Sequence, residues 1–277
     1  MFRYTKLTFV REIIVVAIAV AMLVPFYLLV VTSTKSDSDT LTSPPMSFTN
    51  PSLNNFFEAW NAQGQRSLAA GMLNSAIITV GSVIILIAFG SIAAYVIARS
   101  TARWSKAASM LFLIGIILPF QLGMIPAYSA LRTFGLVGSP VGLIILYSGL
   151  MMPLTVFLYL GFAREIPREY EEAATIDGAS RFSTFRRIIF PLLSPATGTV
   201  AILCGLIIWN DFFTQLIFLS GSGSSTLPVV IYSYVGSLGA RWNVIFAAII
   251  ISMIPILVFY LFAQRKFIQG FAGGIKS

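Results

Sequence analysis

Residues 164–191 read REIPREYEEAATIDGASRFSTFRRIIFP, and this charged stretch indicates how the 277-residue chain is organised. Ten of the chain's 28 charged residues (18 basic plus 10 acidic) lie between Arg164 and Arg187. Residues 133–163 before the stretch carry no charge, and neither do residues 188–210, which begin at its end. A charged segment between two long apolar ones predicts a loop that leaves a membrane and contacts something in water.

The composition of the chain places it among membrane proteins. Hydrophobic residues make up 57% of the sequence and charged residues 10%, and the mean hydropathy is +0.88. Soluble domains average about 45–50% apolar and about 25% charged residues. A soluble fold with the present composition would expose large apolar patches and aggregate.

The side-chain inventory argues against a cofactor-dependent enzyme. Histidine, the commonest metal ligand and general base near neutral pH, is absent, and the one cysteine, Cys204, lies in an apolar run. The chain can therefore form no intramolecular disulfide, and it shows no cluster of residues with metal-ligand spacing. The net charge of +8 does not indicate nucleic acid, because the basic residues form no stripe with interleaved aromatic residues.

Six apolar segments are long enough to cross a bilayer, which takes about 20 residues. The sequence therefore predicts an all-α membrane protein with one transmembrane domain over residues 1–277 and spans at residues 13–31, 71–98, 107–131, 141–162, 197–219 and 242–262. Pro119 and Pro126 predict bends in the third span, and Pro153 predicts an interruption of the fourth. A signal peptide is the alternative for the first segment, because a basic start and an apolar run fit both.

The lysines and arginines orient these spans. With a cytoplasmic amino terminus, 14 of the 18 basic residues fall on inner segments. The outer segments then hold only Lys35, Arg66, Arg132 and Arg241. By the positive-inside rule, both termini and the charged stretch are predicted to be cytoplasmic.

Local signals predict two short helices within the charged stretch. Pro167 suits the first turn of a helix, where its missing N–H would be unpaired anyway, and the glutamates after it lie at the positive end of the helix dipole. Gly178 can take the left-handed conformation that ends a helix, and Ser180 suits the N-cap of a second one. This second helix is expected to stop at Pro191 and to have one apolar face, formed by Phe182, Phe185 and Ile189.

Two interpretations of these helices are possible. They could lie on lipid headgroups as amphipathic helices, although anionic lipid would repel the clustered carboxylates of the first. A surface that binds a partner protein fits better, because small residues permit close approach along the first helix and turn, at Ala173, Ala174, Gly178 and Ala179.

The spacing within the stretch resembles the EAA loop of ABC importer permeases. The family pattern is EAA-x3-G-x9-I-x-L-P, and it is matched here by Glu172, Ala173, Ala174, Gly178, Ile188 and Pro191. The chain departs from the pattern only at Phe190, where the family has leucine. Asp177 and Ala179 also match the DGA form that is common in sugar-importer permeases.

Other segments resemble the carbohydrate branch of these permeases, specifically the MalG-like subunit of maltose importers. The resemblance covers roughly residues 10–277 and includes IPAY at 125–128, LR at 131–132, GL at 135–136 and WNDF at 209–212. It implies the type I ABC importer permease fold, with six transmembrane helices and a cytoplasmic coupling helix-turn-helix at 164–191. It also implies a bacterial or archaeal cytoplasmic membrane and import of a disaccharide or oligosaccharide by alternating access.

The same resemblance implies a set of partners. The chain would work with a second, MalF-like permease subunit, two ABC ATPase subunits, an extracytoplasmic sugar-binding protein and membrane lipid, and without nucleic acid. ATP and Mg would bind to the ATPases, and this chain would bind no cofactor. It has no glycine-rich phosphate-binding motif ending in Lys-Ser/Thr, so it is expected to be a transport subunit and no enzyme.

The resemblance also assigns roles to three groups of residues. The contact with an ATPase would be made by Glu172, Ala173, Ala174, Asp177, Gly178, Ala179, Ile188 and Pro191. A tail that reaches the ATPase interface by an irregular path would include Gly270, Gly273, Gly274 and Lys276, with a frayed terminus as the alternative. A loop facing the binding protein would include Gly221, Ser222, Gly223 and Ser224, with a flexible linker as the alternative.

Asp211 is the only acidic residue inside a predicted span. A charged side chain at the bilayer centre costs about 2.5–3.5 kcal/mol, so we expect Asp211 near the outer end of the fifth span. With Asn210 it is a candidate for the substrate path, where it would accept sugar hydroxyls. The preferred alternative is a structural pair with Asn210 or with a neighbouring subunit.

Two rival functional classes remain. An ion-coupled secondary carrier would bury ionisable relays in its spans, and Asp211 is the one candidate for such a relay. A membrane-embedded enzyme would need a nucleophile with its base, or a metal site, and the sequence shows neither.

Overall fold

The polypeptide is helical wherever its structure is described. The computed structural model describes residues 6–48, 50–63, 67–235 and 241–273. Within these ranges there is no strand, and there are fourteen α-helices: α1 (Lys6–Thr34), α2 (Asp37–Thr42), α3 (Asn54–Asn61), α4 (Leu68–Arg99), α5 (Arg103–Ile117), α6 (Met124–Thr133), α7 (Pro140–Glu165), α8 (Glu169–Ile176), α9 (Arg181–Thr184), α10 (Phe190–Leu192), α11 (Ser194–Asn210), α12 (Phe213–Phe218), α13 (Leu227–Val235) and α14 (Trp242–Gly273).

Among the described residues, three helices are long and apolar enough to cross a membrane unaided, namely Thr8–Thr34 of α1, α4 and α7. Two bent pairs raise the number to five if each pair is one span: Arg103–Ile117 with Phe120–Thr133, and Arg181–Leu192 with Ser194–Asn210. The described side chains of α14 add a shorter apolar helix, Trp242–Val258. All six predicted apolar segments are thus largely helical, and the count of six spans stays a prediction.

The third predicted span bends sharply at one of its two prolines. The helices on either side of Pro119 meet at 95°, because Leu118, the residue before the proline, is pushed into an extended conformation (ψ 126°). Pro126 causes no break, contrary to prediction. It is the third residue of α6, and the N–H groups of a first turn have no intrahelical partner in any case.

Two further sequence predictions about spans are wrong in detail. Helix α7 continues through Pro153 without interruption, as is tolerated where neighbouring helices support the backbone, and α7 packs against both α5 and α11. The fifth predicted span, residues 197–219, is divided. Helix α11 ends at Asn210, and after Asp211 and Phe212 the chain starts the separate helix α12.

The chain divides into two compact units. One comprises residues 1–69 and 230–254, and the other comprises residues 70–229 and 255–277. The second unit contains a core of large apolar side chains, among them the fully buried Leu86, Val156, Tyr159, Leu193 and Ile208. This division does not test whether residues 1–277 act as one permease domain, which stays a prediction.

The first unit is held together by buried polar groups beside the end of α1. The Asn55 amide donates to the carbonyl oxygens of Ser33 and Lys35, at 2.8 Å each. The Lys35 ammonium is only 2% exposed and donates to Ser43 Oγ (2.9 Å), Pro44 O (2.7 Å) and Ser47 Oγ (3.3 Å). These bonds fold residues 35–55 back onto the end of α1.

Candidate functional site

The charged stretch folds into a helix and a tight turn, as the sequence predicts. Helix α8 carries three glutamates in its first turn and ends at Asp177. Gly178 adopts a left-handed conformation, with φ +76°. The turn is closed by hydrogen bonds from Asp177 N to Ala173 O (3.0 Å) and from Ala179 N to Ala174 O (2.9 Å), and Ser180 caps α9 by accepting from Ser183 N.

Helix α8 has an inner and an outer face. Ala174 is buried and Glu171 is half-buried on the inner face. The outer face exposes Glu172, Ala173 and Ile176, the last at 87%. The exposed outer face is therefore available for contact with another protein.

The inner face is fixed to the end of α4 by a charged pair. Arg99 Nε lies 2.5 Å from Glu171 Oε1, and the Tyr95 hydroxyl donates to Glu171 Oε2 at 3.0 Å. Arg99 Nη2 also donates to Ile166 O at 2.8 Å, at the end of α7. Sequence reasoning missed this anchor, because it used Arg99 only for orientation and Glu171 only for the helix dipole.

The second helix of the stretch differs from its prediction in two ways. Its residues Phe185–Ile189 form a π-helical turn, in which Phe190 N donates to Phe185 O. Phe185 and Ile189, the first and last residues of this turn, are buried, whereas Phe182, which precedes the turn in α9, is 65% exposed. The three therefore do not share one apolar face.

Pro191 lies one residue before the end of this helix, so the predicted stop is displaced by a single residue. It sits at the start of α10, which continues the π-helical turn to Leu192, and the chain then bends by 71° into α11. Pro191 is exposed and Ile188 is half-buried. The π-helical turn precedes Pro191, which has no backbone N–H to donate. The regular α-helical hydrogen-bond pattern is therefore already altered just before the proline.

A cleft of about 680 Å³ lies between the end of α4 and the two short helices. Arg99, Glu171 and Arg181 line it together with the aromatic side chains of Trp104 and Phe182. The ring of Tyr95 packs on buried Phe185, with centroids 5.2 Å apart. The cleft therefore joins the anchor of α8 to the exposed surface around α9.

Asp211 is engaged within the chain, though not by Asn210. The Tyr147 hydroxyl of α7 donates to Asp211 Oδ2 at 2.9 Å, and Thr214 N of α12 donates to Oδ1 at 3.2 Å. The Asn210 amide is exposed and donates to Leu206 O in its own helix. Asp211 thus caps α12 and ties α7 to the break after α11, so the suggested pair with Asn210 is wrong.

The segment after α12 is a compact turn at its predicted position. Gly221 and Gly223 adopt left-handed conformations, and Ser222 Oγ donates to Leu219 O at 2.7 Å. The base of the turn is fixed by Asn74 Nδ2, which donates to Ser225 O at 3.0 Å. Gly221, Ser222 and Gly223 are exposed at its tip, and Ser224 is half-buried.

The carboxyl-terminal tail can be placed only in part. Gly270 and Gly273 belong to α14, so the tail is helical up to residue 273, where an irregular path was expected. Gly274 and Lys276 lie outside the described residues.

The first unit contains a second charged cluster. The sequence did not predict it. Arg241 pairs with Asp37 (2.9 Å between Nη2 and Oδ2) and with both carboxylate oxygens of Glu58. The Asn243 amide donates to Asp37 Oδ1 at 2.8 Å and to Asn55 Oδ1 at 3.1 Å. The hydrogen bond from Arg241 lowers the pKa of Asp37, and the two carboxylates raise the pKa of Arg241.

Possible metal ligands are not grouped together in the described part of the chain. Over residues 6–48, 50–63, 67–235 and 241–273, no three histidine, cysteine or acidic side chains are grouped so that they could hold a metal ion. Cys204, the sole cysteine, is buried next to Thr155.

Comparison with known proteins gives consistent matches. The family described as the inner membrane component of binding-protein-dependent transport systems matches residues 86–272. The melibiose/raffinose/stachyose import permease protein MelC of Bacillus subtilis (strain 168) is 36% identical over 271 residues, which cover 98% of this chain and 97% of MelC. The multiple sugar-binding transport system permease protein MsmG of Streptococcus mutans is 37% identical over 265 residues and 92% of each chain.

A solved structure shares the fold. One chain in the crystal structure of a bacterial ABC transporter involved in the import of the acidic polysaccharide alginate superimposes with a TM-score of 0.82. The two chains are 20% identical, and the match covers 96% of this chain and 100% of the other. The helical architecture is therefore shared with a chain of that transporter.

Proposed function

The chain belongs to the family of inner membrane components of binding-protein-dependent transport systems, and from this membership we propose that it is the permease subunit of an ATP-driven carbohydrate importer. The names of relatives at 36% and 37% identity refer to melibiose, raffinose and stachyose and to multiple sugars. They support a sugar of disaccharide or oligosaccharide size as the substrate. The sequence has no phosphate-binding loop, so the energy for transport comes from a separate ATPase.

The observation that carries this proposal is the two-faced helix α8. Its inner face is anchored to a long apolar helix through Glu171 and Arg99, and its outer face is exposed and holds the motif residues Glu172 and Ala173. A docked ATPase that moves on binding ATP would therefore move α4 with α8 as a rigid body. ATP binding would turn the cavity outward, and hydrolysis would return it inward.

The other residues of the motif support the shape of this coupling element. Gly178 makes the left-handed turn, and Asp177 and Ala179 flank it with backbone hydrogen bonds that close the helix. Ile188 packs against the core of the second unit, and Pro191 begins the return to α11. We assign the direct ATPase contact to the exposed residues among them, Glu172, Ala173, Asp177 and Gly178.

The assembly would contain a second, MalF-like permease, two ABC ATPases carrying ATP and Mg, and an extracytoplasmic binding protein. The exposed tip at Gly221, Ser222, Gly223 and Ser224 would face the binding protein. The tail with Gly270, Gly273, Gly274 and Lys276 would reach the ATPases. For Asp211 we propose a structural role first, since both its carboxylate oxygens accept hydrogen bonds within the chain, and exposed Asn210 stays the candidate for the substrate path.

The topology that goes with this function is six spans with both termini in the cytoplasm of a bacterium or archaeon. It is supported by the distribution of lysine and arginine, 14 inside against 4 outside. Reporter fusions at the carboxyl terminus and at residues 221–224 test it. A cytoplasmic reporter should be active at the first site and inactive at the second.

The coupling role is tested by Glu172→Lys, with Glu165→Lys as the matched control. Both glutamates are exposed, but Glu165 is the last residue of α7 and lies outside the outer face of α8. Glu172→Lys is expected to abolish ATPase copurification or ATPase stimulation by the sugar-loaded binding protein, because it reverses the charge on the docking face. Equal behaviour of the two variants in both assays contradicts the assigned contact.

A second experiment separates ATP-driven import from ion-coupled transport. Sugar uptake is measured in cells that still make ATP, after treatment with vanadate or with an uncoupler. Inhibition by vanadate alone is expected. Inhibition by the uncoupler alone would place the chain among secondary carriers.

A further inference from the structure

Helix α3 (Asn54–Asn61) has three distinct faces. Asn55 and Ala59, four residues apart, are buried. Asn54, Glu58 and Asn61 form a polar exposed face at the same helical spacing. The third face is apolar and exposed, with Leu53 at the N-cap 62% exposed, Phe57 64% and Trp60 49%. Positions i, i+4 and i+7 lie on one side of a helix, so these three side chains form one continuous surface.

The position of α3 is fixed by bonds to the ends of two apolar helices. Asn55 binds the carbonyl oxygens of Ser33 and Lys35, at the last turn of the apolar helix Thr8–Thr34. Glu58 pairs with Arg241, and Asn243 binds Asn55, at the first turn of α14. Helix α3 therefore lies at the depth where α1 and α14 leave the hydrocarbon core of the membrane. This holds for either orientation of the chain in the membrane.

From this placement we infer that the surface of Leu53, Phe57 and Trp60 inserts into the lipid headgroup region, so that α3 is an interfacial membrane anchor. Tryptophan and phenylalanine are suited to this depth, where the ring meets acyl chains and the polar edge meets water. Helix α3 also packs against α1, and no residue in the most apolar window of α1 is buried. The apolar helix α1 is itself expected to face lipid, so lipid is also the expected contact of the neighbouring apolar face of α3.

The polar face explains why lipid is a better occupant than a soluble protein. Asn54, Glu58 and Asn61 point to a different side of α3 from Phe57 and Trp60, as expected for a helix with one face in water and one in lipid. Arg241, which binds Glu58, is itself only partly buried. A protein that approached from solution would meet this charged side first.

Tryptophan fluorescence with brominated lipids tests the inference in the assembled transporter. The complex is placed in bilayers with bromine at shallow or deep acyl positions, and the signal of Trp60 is isolated as the difference between the parent and Trp60→Phe. We expect strong quenching by shallow bromine, weaker quenching by deep bromine, and little quenching by acrylamide in water. This result does not depend on the transported substrate or on ATPase coupling.

Two relocated tryptophans provide the matched controls. In the Trp60→Phe background, Phe57→Trp keeps the probe on the apolar face and should be quenched as Trp60 is. Asn61→Trp moves the probe by one residue onto the polar face. Its fluorescence should then be quenched by acrylamide and no longer by bromine. The inference is overturned if Trp60 is quenched by acrylamide and not by bromine, which places it in water. It is also overturned if neither quencher acts, which places it under another protein subunit.

Discussion

Arg99, the last residue of α4, and Glu171 of α8 form an ion pair across 72 positions of sequence. Their side chains are 15% and 21% exposed, so the pair is largely shielded from water. It is a direct charged link between the inner face of α8 and a long apolar helix. Movement at one end is therefore expected to reach the other.

Breaking this pair should uncouple the transporter without preventing its assembly. Arg99→Ala and Glu171→Gln are each expected to reduce ATPase stimulation by the sugar-loaded binding protein. The Arg99→Glu/Glu171→Arg double variant should recover part of it. Contacting pairs show interaction energies of about 0.5–3 kcal/mol in double-mutant cycles. If the Arg99→Ala/Glu171→Gln double variant loses the sum of the two single losses, the pair does not transmit movement.

Gly178→Ala should loosen the turn of the coupling element. A Cβ at Gly178 would meet nothing within 4 Å, and its φ is +76°, so the cost is purely conformational, about 1–2 kcal/mol. The matched control is Gly161→Ala in α7, where a Cβ is also unobstructed and alanine favours the helix. Thermal denaturation in detergent should show a lower melting temperature for Gly178→Ala and no decrease for Gly161→Ala. A neutral Gly178→Ala would contradict the left-handed turn.

Tyr147→Phe should destabilise the chain more than Tyr159→Phe. Tyr147 donates to the carboxylate of Asp211, whereas Tyr159 donates to the neutral hydroxyl of Thr197. Hydrogen bonds to charged groups contribute about 1.5–3 kcal/mol and neutral ones about 0.5–1.5 kcal/mol. The melting temperatures of the two variants give the comparison. If Tyr147→Phe instead changes only the apparent affinity for sugar, Asp211 belongs to the substrate path.

The cluster around Arg241 should make the first unit sensitive to acid. The pKa of Asp37 is lowered in the folded chain, mainly by its hydrogen bond from Arg241. Its stabilising contribution is therefore complete above the ordinary pKa of 3.8 and is lost as the pH falls through the lower, folded value. The effect is small, because the Asp37 side chain is 56% exposed. The difference in melting temperature between the parent and Asp37→Asn should be positive at pH 5 and shrink below pH 3.8. A difference that is constant with pH excludes this role.

Local chemistry explains which parts of the coupling element could be predicted from the sequence. Gly178 and Ser180 act on their immediate neighbours, so the turn and the second helix start were predicted correctly. Phe182 was assigned to one apolar face with Phe185 and Ile189 by α-helical spacing, but it is exposed while they are buried, and the π-helical turn at Phe185–Ile189 was not predicted. The presence of such a turn depends on packing in the second unit, where Phe185 and Ile189 are buried.

Long-range pairs explain most of what the sequence did not predict. Glu58 and Arg241 are 183 positions apart, and a single sequence shows nothing that pairs one charge with another at that distance. The same holds for Tyr147 and Asp211. Asp211 was recognised as unusual because an acid inside an apolar segment is costly, but its partner was assigned to the adjacent residue.

Because Lys35 is buried, the reactivity of its amine can be used to measure opening of the first unit. Its ammonium is covered and surrounded by carbonyl and hydroxyl oxygens, so an amine-reactive reagent can reach it only after residues 35–47 have opened. The rate of labelling at this one lysine, followed by peptide mass spectrometry, therefore measures how often that fold opens. The measurement can be repeated at each stage of a transport cycle, in intact membranes.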